Sequence, residues 1–380
     1  MWLRKSRDPS SLTHLGRETF ASSSKERNTA LHLKGSNSRV DKMTTLKHHL
    51  LTSPLVAEQA FSLLSTSSSK KVTKLDVEKW LTVSLAKVMV SGPKMYRVYT
   101  IPKKNGGKRT IAHPSRALKV IQRGLVEFLN DKLPVHDAAY AYRKNISIKD
   151  NALQHVTNPY FLRMDLADFF NSIDVNLFEE RIEKHKIQLS AADKALIRRS
   201  AFWSPKKTNT GTLILSIGAP SSPLISNFIM FSFDETISSI CAPLKITYTR
   251  YADDLFFSTK NKNILFKIPS LIQYVLSTEF GKKLTINEVK TSFSSKAHNR
   301  HIAGVTITNN DTLSLGREKK RIISSMIHKY SLGKSDDIEL AKLQGLLSFS
   351  KHIEPLFIER MMKKYSVNLV DKIISGQWRK

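Results

Sequence analysis

The chain has 380 residues, with 61 Lys and Arg against 32 Asp and Glu, a net charge of +29 and 41% hydrophobic residues. That length accommodates roughly two or three subdomains, and the charge excess makes a polyanion such as nucleic acid the default partner, a membrane surface being the weaker alternative. No run of about 18 apolar residues is present to span a bilayer, and Cys241, the single cysteine, excludes an intrachain disulfide or a Cys-rich zinc site and fits a reducing cytoplasm.

Residues 1–42 are rich in Ser, Lys, Arg and Asn without apolar periodicity, and read as a disordered basic arm. No apolar h-region follows Met1, which argues against a secretory signal. Asp8, Glu18, Glu26 and Asp41 argue against a transit peptide, and Met43 is an alternative start. Helical segments are expected over 44–65 and 74–90, the second from the spacing of Leu75, Trp80, Leu81, Leu85 and Val88. Strands over Tyr96–Thr100 and Arg109–His113 form a hairpin across the basic glycine turn from Lys103 to Lys108. Leu118, Ile121, Leu125, Leu129 and Leu133 make one helix stripe, with Lys119 and Arg123 on other faces. Phe161 to Leu166 reads as a buried strand containing Asp165. A helix follows over 176–187, another after Pro223, and a third near 267–280. His301 to Ile307 reads as one short strand, and three basic helical segments follow from Gly316. No repeat of 20–50 residues is visible. Mixed strands and helices with a helical tail indicate an α+β fold.

The chemistry concentrates at Tyr251-Ala252-Asp253-Asp254. Ile246–Thr249 and Leu255–Phe257 are β-favouring, so the acidic pair falls at a tight turn between two strands. Side-by-side carboxylates repel unless a cation lies between them, which points to a divalent metal. An ordinary acidic turn remains the plain alternative, since Asp is a favoured turn residue. Asp165 is a second strand-end carboxylate; alone, it and Asp168 read equally well as loop or N-cap residues. Three such acids can converge to hold two Mg²⁺ ions for in-line nucleotidyl transfer.

Four segments in order make a resemblance specific. Met164-Asp165-Leu166-Ala167-Asp168-Phe169-Phe170, Gly218-Ala219-Pro220-Ser221-Ser222-Pro223, Tyr251-Ala252-Asp253-Asp254 and Asn287-Glu288-Val289-Lys290-Thr291 resemble the reverse transcriptases in order and spacing over about residues 95–310. The resemblance implies a right-hand polymerase fold. Residues 43–160 would be N-terminal helices and fingers, 161–310 mainly palm with part of the fingers interleaved, and 311–380 a helical RNA-binding thumb. It implies Asp165, Asp253 and Asp254 as metal-binding catalytic acids, joined by the backbone carbonyl of Leu166, with two Mg²⁺ ions (Mn²⁺ being an alternative). Phe170 matches an aromatic steric gate favouring dNTPs, and Lys290 a lysine that protonates pyrophosphate. Lys108 and Arg109 match residues that clamp the triphosphate, a contact suited to arginine. Gly218, Ala219 and Pro220 would let backbone approach the nucleotide. Ile217 departs from the Gln often found there, which removes a side-chain hydrogen bond to the incoming sugar.

Asn151-Ala152-Leu153-Gln154-His155 is similar to the NAxxH element of retron reverse transcriptases, and Gly304-Val305-Thr306-Ile307 partly matches their VTG region. Alone, the Asn151 and His155 pair reads as a satisfied turn or core contact; the resemblance marks Asn151, His155, Val305 and Thr306 as family-specific or RNA-binding, and Lys319, Lys320, Arg321, Lys363 and Lys364 as thumb residues contacting RNA phosphates. A solvated helix face is the plain reading of each lysine. Implied partners are dNTPs, a cognate structured non-coding RNA and its cDNA, and an effector protein from the same locus, in a bacterial cytoplasm and without a membrane. The implied activity is priming from a guanosine 2′-hydroxyl to make multicopy single-stranded DNA in anti-phage defence. Other bacterial reverse transcriptases, of abortive-infection or diversity-generating type, are the alternative within the class. A non-catalytic RNA- and effector-binding scaffold is the alternative outside it.

Overall fold

Pro54 sets the first break in the chain. In the computed structural model, which describes residues 45–67, 71–102, 106–206, 211–298 and 300–378, α1 (Leu46–Thr52) stops at Ser53 and α2 (Pro54–Ser67) restarts with proline at its first position. A residue before proline is pushed out of the helical region, and proline suits a helix start, so the single helix expected over 44–65 is two. The expected arm over 1–42 lies outside the described residues. α3 (Lys74–Ser91) is closed at its start by a capping box between Thr73 and Asp76.

β1 (Tyr96–Pro102) pairs antiparallel with β2 (Lys108–Pro114), Arg97 standing opposite His113. α4 (Arg116–Asn130) follows, N-capped by Ser115. Leu118, Ile121, Leu125 and Leu129 are its buried stripe; Leu133 is buried beyond the helix end. A Cβ on Gly124 would stand 2.4 Å from Val56 and 2.5 Å from Leu50, so glycine is what lets α1 and α2 lie against α4.

After α5 (Ile148–Leu153) comes β3 (Tyr160–Asp165). α6 (Val175–Lys184) ends three residues before the expected 187, and α7 (Ala191–Ala201) follows where no helix is expected. Only Leu196 and Ile197 carry most of α7's apolar burial, with Ala201 behind them, so its periodicity is faint. α8 (Ser222–Ile229) and α9 (Phe231–Cys241) lead into the hairpin β4 (Ile246–Tyr251) and β5 (Asp254–Thr259). α10 (Ile268–Phe280) and β6 (Ser292–Ser295) complete the central part. The four-stranded sheet runs β4-β5-β3-β6, every pair antiparallel.

The segment 301–307, expected as one strand, is a hairpin of β7 (Arg300–Ile302) and β8 (Val305–Ile307), joined by β9 (Leu313–Ser314) into a three-stranded sheet. Its turn residues Ala303 (φ 45) and Gly304 (φ 89) both have positive φ, the geometry that two-residue hairpins favour. Four helices follow rather than three: α11 (Arg317–Ser331), α12 (Asp337–Ile353), α13 (Pro355–Tyr365) and α14 (Val367–Ile374). Pro355 starts one and Ser366, in a positive-φ conformation, caps the next. One apolar core joins the N-terminal helices to the four-stranded sheet, from Leu46 to Leu284. A second joins β7–β9 to the C-terminal helices and reaches Phe161 and Phe256 of the central sheet. The described fold is α+β, with an antiparallel sheet carrying the acids.

Candidate active site

The three acids meet because of strand register. Asp165, last residue of β3, stands directly opposite Asp254, first residue of β5. Asp253 is in the two-residue turn, where Ala252 takes φ 58, a left-handed conformation in a tight hairpin. The Leu166 amide donates to the Asp253 carbonyl at 2.9 Å, which holds the turn against the end of β3. Like charges directly opposite are destabilising in a sheet, and two cations offset them. Arg163 donates from Nε and Nη2 to Asp254 Oδ1 at 3.1 and 2.8 Å. Lys290 donates from Nζ to both Asp165 carboxylate oxygens at 2.8 Å. Lys290 ends a short turn over Glu288–Lys290, pinned when the Asn287 amide donates to the Asp165 carbonyl at 2.7 Å.

Burial is the largest influence on the Asp253 carboxyl and pushes it up; the charges of Asp254 and Asp165 push it further the same way. Asp254 is raised by burial too, against the opposing pull of Arg163. Such a cluster of hard oxygen donors under mutual repulsion suits a divalent cation of the Mg²⁺ or Mn²⁺ kind. Among the described residues no group of three His, Cys, Asp or Glu stands as a finished ligand set. Lys290 occupies both oxygens of Asp165 and must release at least one for a cation to bind there, whereas Arg163 takes only Oδ1 of Asp254.

Phe170 lies in a short helical turn (Phe169–Ser172) just after β3. It lines a cavity of ≈ 320 Å³ with Gly218, Ala219, Pro220 and Ile217. Gly218 has φ 94, and a Cβ there would meet nothing within 4 Å. Glycine is therefore needed for the backbone angle, not for clearance. Three residues that the sequence reading left out share the wall: Lys119, Arg123 and Tyr142. Ser222 joins them; its hydroxyl and those of Ser216 and Ser221 are buried without a hydrogen-bond partner among the described residues, which makes them candidates for ligand or water contacts. The expected triphosphate clamp, Lys108 and Arg109, sits exposed on β2 and does not line this cavity. Of Lys119, Arg123, Tyr142 and Arg163, only Arg163 has a usable signal in the sequence, two residues before Asp165 and so on the same strand face.

The residues expected at RNA divide sharply. Asn151 and His155 are completely buried, so direct contact with RNA is not open to them, a correction of the sequence reading. Asn158 donates to the Ser258 hydroxyl at 2.8 Å, His155 Nδ1 lies 2.7 Å from that same hydroxyl, His155 Nε2 lies 2.8 Å from Thr249 Oγ1, and Thr249 donates to Asn151 Oδ1 at 2.6 Å. The order of donors makes His155 the neutral tautomer with the proton on Nε2. Thr249 and Ser258 flank the acidic hairpin, so this chain of bonds holds the hairpin in place. Val305 is wholly buried in the second core and is corrected likewise; Thr306, partly buried, lies 3.1 Å from His301 Nδ1. Lys319 donates to the Gly304 carbonyl at 2.7 Å and Lys320 to Glu354 at 2.7 Å, both being engaged inside the protein. Arg321, Lys363 and Lys364 are exposed.

The family described as "Reverse transcriptase (RNA-dependent DNA polymerase)" matches residues 101–307. The Retron Ec83 reverse transcriptase of Escherichia coli is 46% identical over 278 residues, 73% of this chain and 89% of that protein. The Retron Ec73 reverse transcriptase of Escherichia coli is 33% identical over 303 residues, 77% and 93% of the two chains. Among solved structures, a foamy viral protease–reverse transcriptase bound to double-stranded DNA superposes with a TM-score of 0.40 and 16% identity, over 74% of this chain and 43% of that one. The chain belongs to the retron reverse transcriptases and is an RNA-directed DNA polymerase.

Proposed function

We propose that this reverse transcriptase binds a structured non-coding RNA from its own locus, primes on a guanosine 2′-hydroxyl, and copies part of that RNA into branched multicopy single-stranded DNA. An effector protein from the same locus would be its partner in anti-phage defence. The observation that carries the catalytic part is the meeting of Asp165 and Asp254 across β3 and β5 with Asp253 in the adjoining turn.

Asp165, Asp253 and Asp254, with the Leu166 backbone carbonyl, would hold two Mg²⁺ ions. Bound there, the ions supply charge neutralisation at the attacking and leaving oxygens of an in-line transfer. The chain's own groups do the rest. Lys290, released from Asp165, is placed to give a proton to the departing pyrophosphate. Arg163 opposes the upward push of burial on the Asp254 carboxyl. The Phe170 ring walls the nucleotide cavity and fills the space that a ribose 2′-hydroxyl needs. Gly218, Ala219 and Pro220 bring backbone to the sugar and base, and Lys108 and Arg109 approach the triphosphate on closure of the fingers. The exposed Arg321, Lys363 and Lys364 supply phosphate contacts to a folded RNA, where shape and 2′-hydroxyls matter more than base edges.

The test uses purified protein with its copurifying RNA. Replacing both acids of the turn (Asp253→Asn with Asp254→Asn) should abolish DNA synthesis while RNA still copurifies. A double variant extending at the wild-type rate would remove these residues from the site. Debranching treatment of the wild-type product should release DNA from a 2′,5′ linkage; an unbranched product would overturn the priming assignment.

A further inference from the structure

Among the described non-glycine residues with positive φ, Tyr142 (φ 63) is the only aromatic. A bulky side chain in that conformation is an outlier, and burial does not offset the strain, because Tyr142 is 54% exposed. Its neighbours impose the conformation. The Ala141 carbonyl accepts from Asn227 Nδ2 at 2.9 Å. The Tyr140 amide donates to the Arg250 carbonyl, and the Arg250 amide to the Ala138 carbonyl, at 2.8 and 2.7 Å. The Arg143 guanidinium donates to the Ala139 carbonyl and to the Asp137 carboxylate. The segment carrying Tyr142 is thus clipped to Arg250 of β4, three residues before Asp253. Strain kept at an exposed side chain and fixed by its surroundings points to a function.

The cavity says which function. Tyr142 lines it together with Phe170 and Gly218, and it lies close enough to Asp253 to feel that carboxylate's charge. The other polar groups on the wall are Lys119, Arg123 and Ser222, while Ile217 offers only hydrocarbon. Lys119 and Arg123 suit phosphate oxygens. The Tyr142 hydroxyl makes no hydrogen bond among the described residues, and it is a neutral donor at physiological pH. A rigid donor that serves all four nucleotides must address a part common to them. With the phosphates matched by cations, the remaining invariant group is the sugar hydroxyl.

We propose that Tyr142 is a substrate-positioning residue whose hydroxyl donates to the 3′-hydroxyl oxygen of the incoming deoxynucleotide. The proposal rests on the reading of this cavity as the nucleotide pocket. Tyr142 then sets the sugar between the Phe170 ring and the acids, and it makes the enzyme sensitive to whether a 3′-hydroxyl is present.

Single-nucleotide incorporation with dNTP and with the matching 2′,3′-dideoxynucleotide tests it, comparing the wild-type protein with Tyr142→Phe. The substitution keeps the ring and removes one donor. The expected result is a KM for dNTP raised about three- to tenfold, the range of one net hydrogen bond, with kcat nearly unchanged. Dideoxynucleotide kinetics should not move, so the variant loses its preference for the 3′-hydroxyl. Equal losses with both nucleotides, or no change with dNTP, would overturn the assignment. Failure of the pocket reading gives a different signature: Phe170→Ala and Ile217→Ala would then leave KM for both nucleotides at the wild-type value.

Discussion

Lys290 Nζ lies 2.8 Å from each oxygen of the Asp165 carboxylate. An ammonium in that position both compensates the acid and competes with a metal for it. Lys290→Met should therefore lower the Mg²⁺ concentration needed for half-maximal synthesis, by about tenfold if the competing interaction is worth about 1.4 kcal/mol. The maximal rate should fall by about 10²-fold or more, as expected on loss of a general acid. A Mg²⁺ titration of primer extension gives both numbers. An unchanged Mg²⁺ requirement would show that the two cations do not share Asp165.

Arg163 plays a parallel part at Asp254. Burial raises the Asp254 carboxyl, and the guanidinium pulls it back down. Without that cation the carboxyl moves further up, and since only the ionised acid can hold a metal, activity should begin at higher pH. Arg163→Gln is expected to shift the acidic limb of the pH–kcat profile upward with the alkaline limb in place. A profile superimposable on the wild type would mean that Arg163 serves β3 structurally and nothing more.

The acids are legible in the sequence because Asp165 and the Asp253–Asp254 pair each sit where an apolar strand meets a turn, a pattern written in consecutive residues. Tyr142, Lys119 and Arg123 carry no such pattern. Lys119 and Arg123 leave the buried face of α4, where any solvated helix carries cations, and the conformation of Tyr142 comes from Asn227 and Arg250, about a hundred residues away. His155 is a different case: alone, an Asn and His pair reads as a satisfied turn or core contact, and the packing of Thr249 and Ser258 around it makes it that, a neutral core histidine. The hairpin at 301–307 was missed because Ala303, a residue with no turn preference, takes a positive φ beside Gly304.

Phe170 lines the cavity at Gly218, and the space beyond its ring decides the sugar. Phe170→Ala should raise incorporation of rNTPs relative to dNTPs by about tenfold or more, with the dNTP rate falling less, since removing a steric block costs the correct substrate little. Competing rNTP and dNTP in one extension assay measures the ratio directly. Unchanged discrimination would take Phe170 out of the gate role and leave it as a wall of the cavity.

His155 predicts a pH effect on stability. Burial pulls its imidazole down from the ordinary 6.5 to about 3. The folded value lies below the unfolded one, so the neutral ring's contribution is complete above pH 6.5 and is lost as pH falls from there toward 3. Each unit corresponds to 1.36 kcal/mol, so at pH 5 the fold should have lost about 2 kcal/mol through this one group. His155→Gln keeps a donor and an acceptor between Thr249 and Ser258 and cannot be protonated. The variant should start less stable at pH 7.5, because the amide does not reproduce the ring's reach, yet show a smaller drop between pH 7.5 and 5. Urea midpoints at the two pH values decide it. A variant that loses as much as the wild type over that interval would place the acid sensitivity elsewhere, and it would leave the chain from Asn158 to Asn151 as a passive brace behind the acidic hairpin.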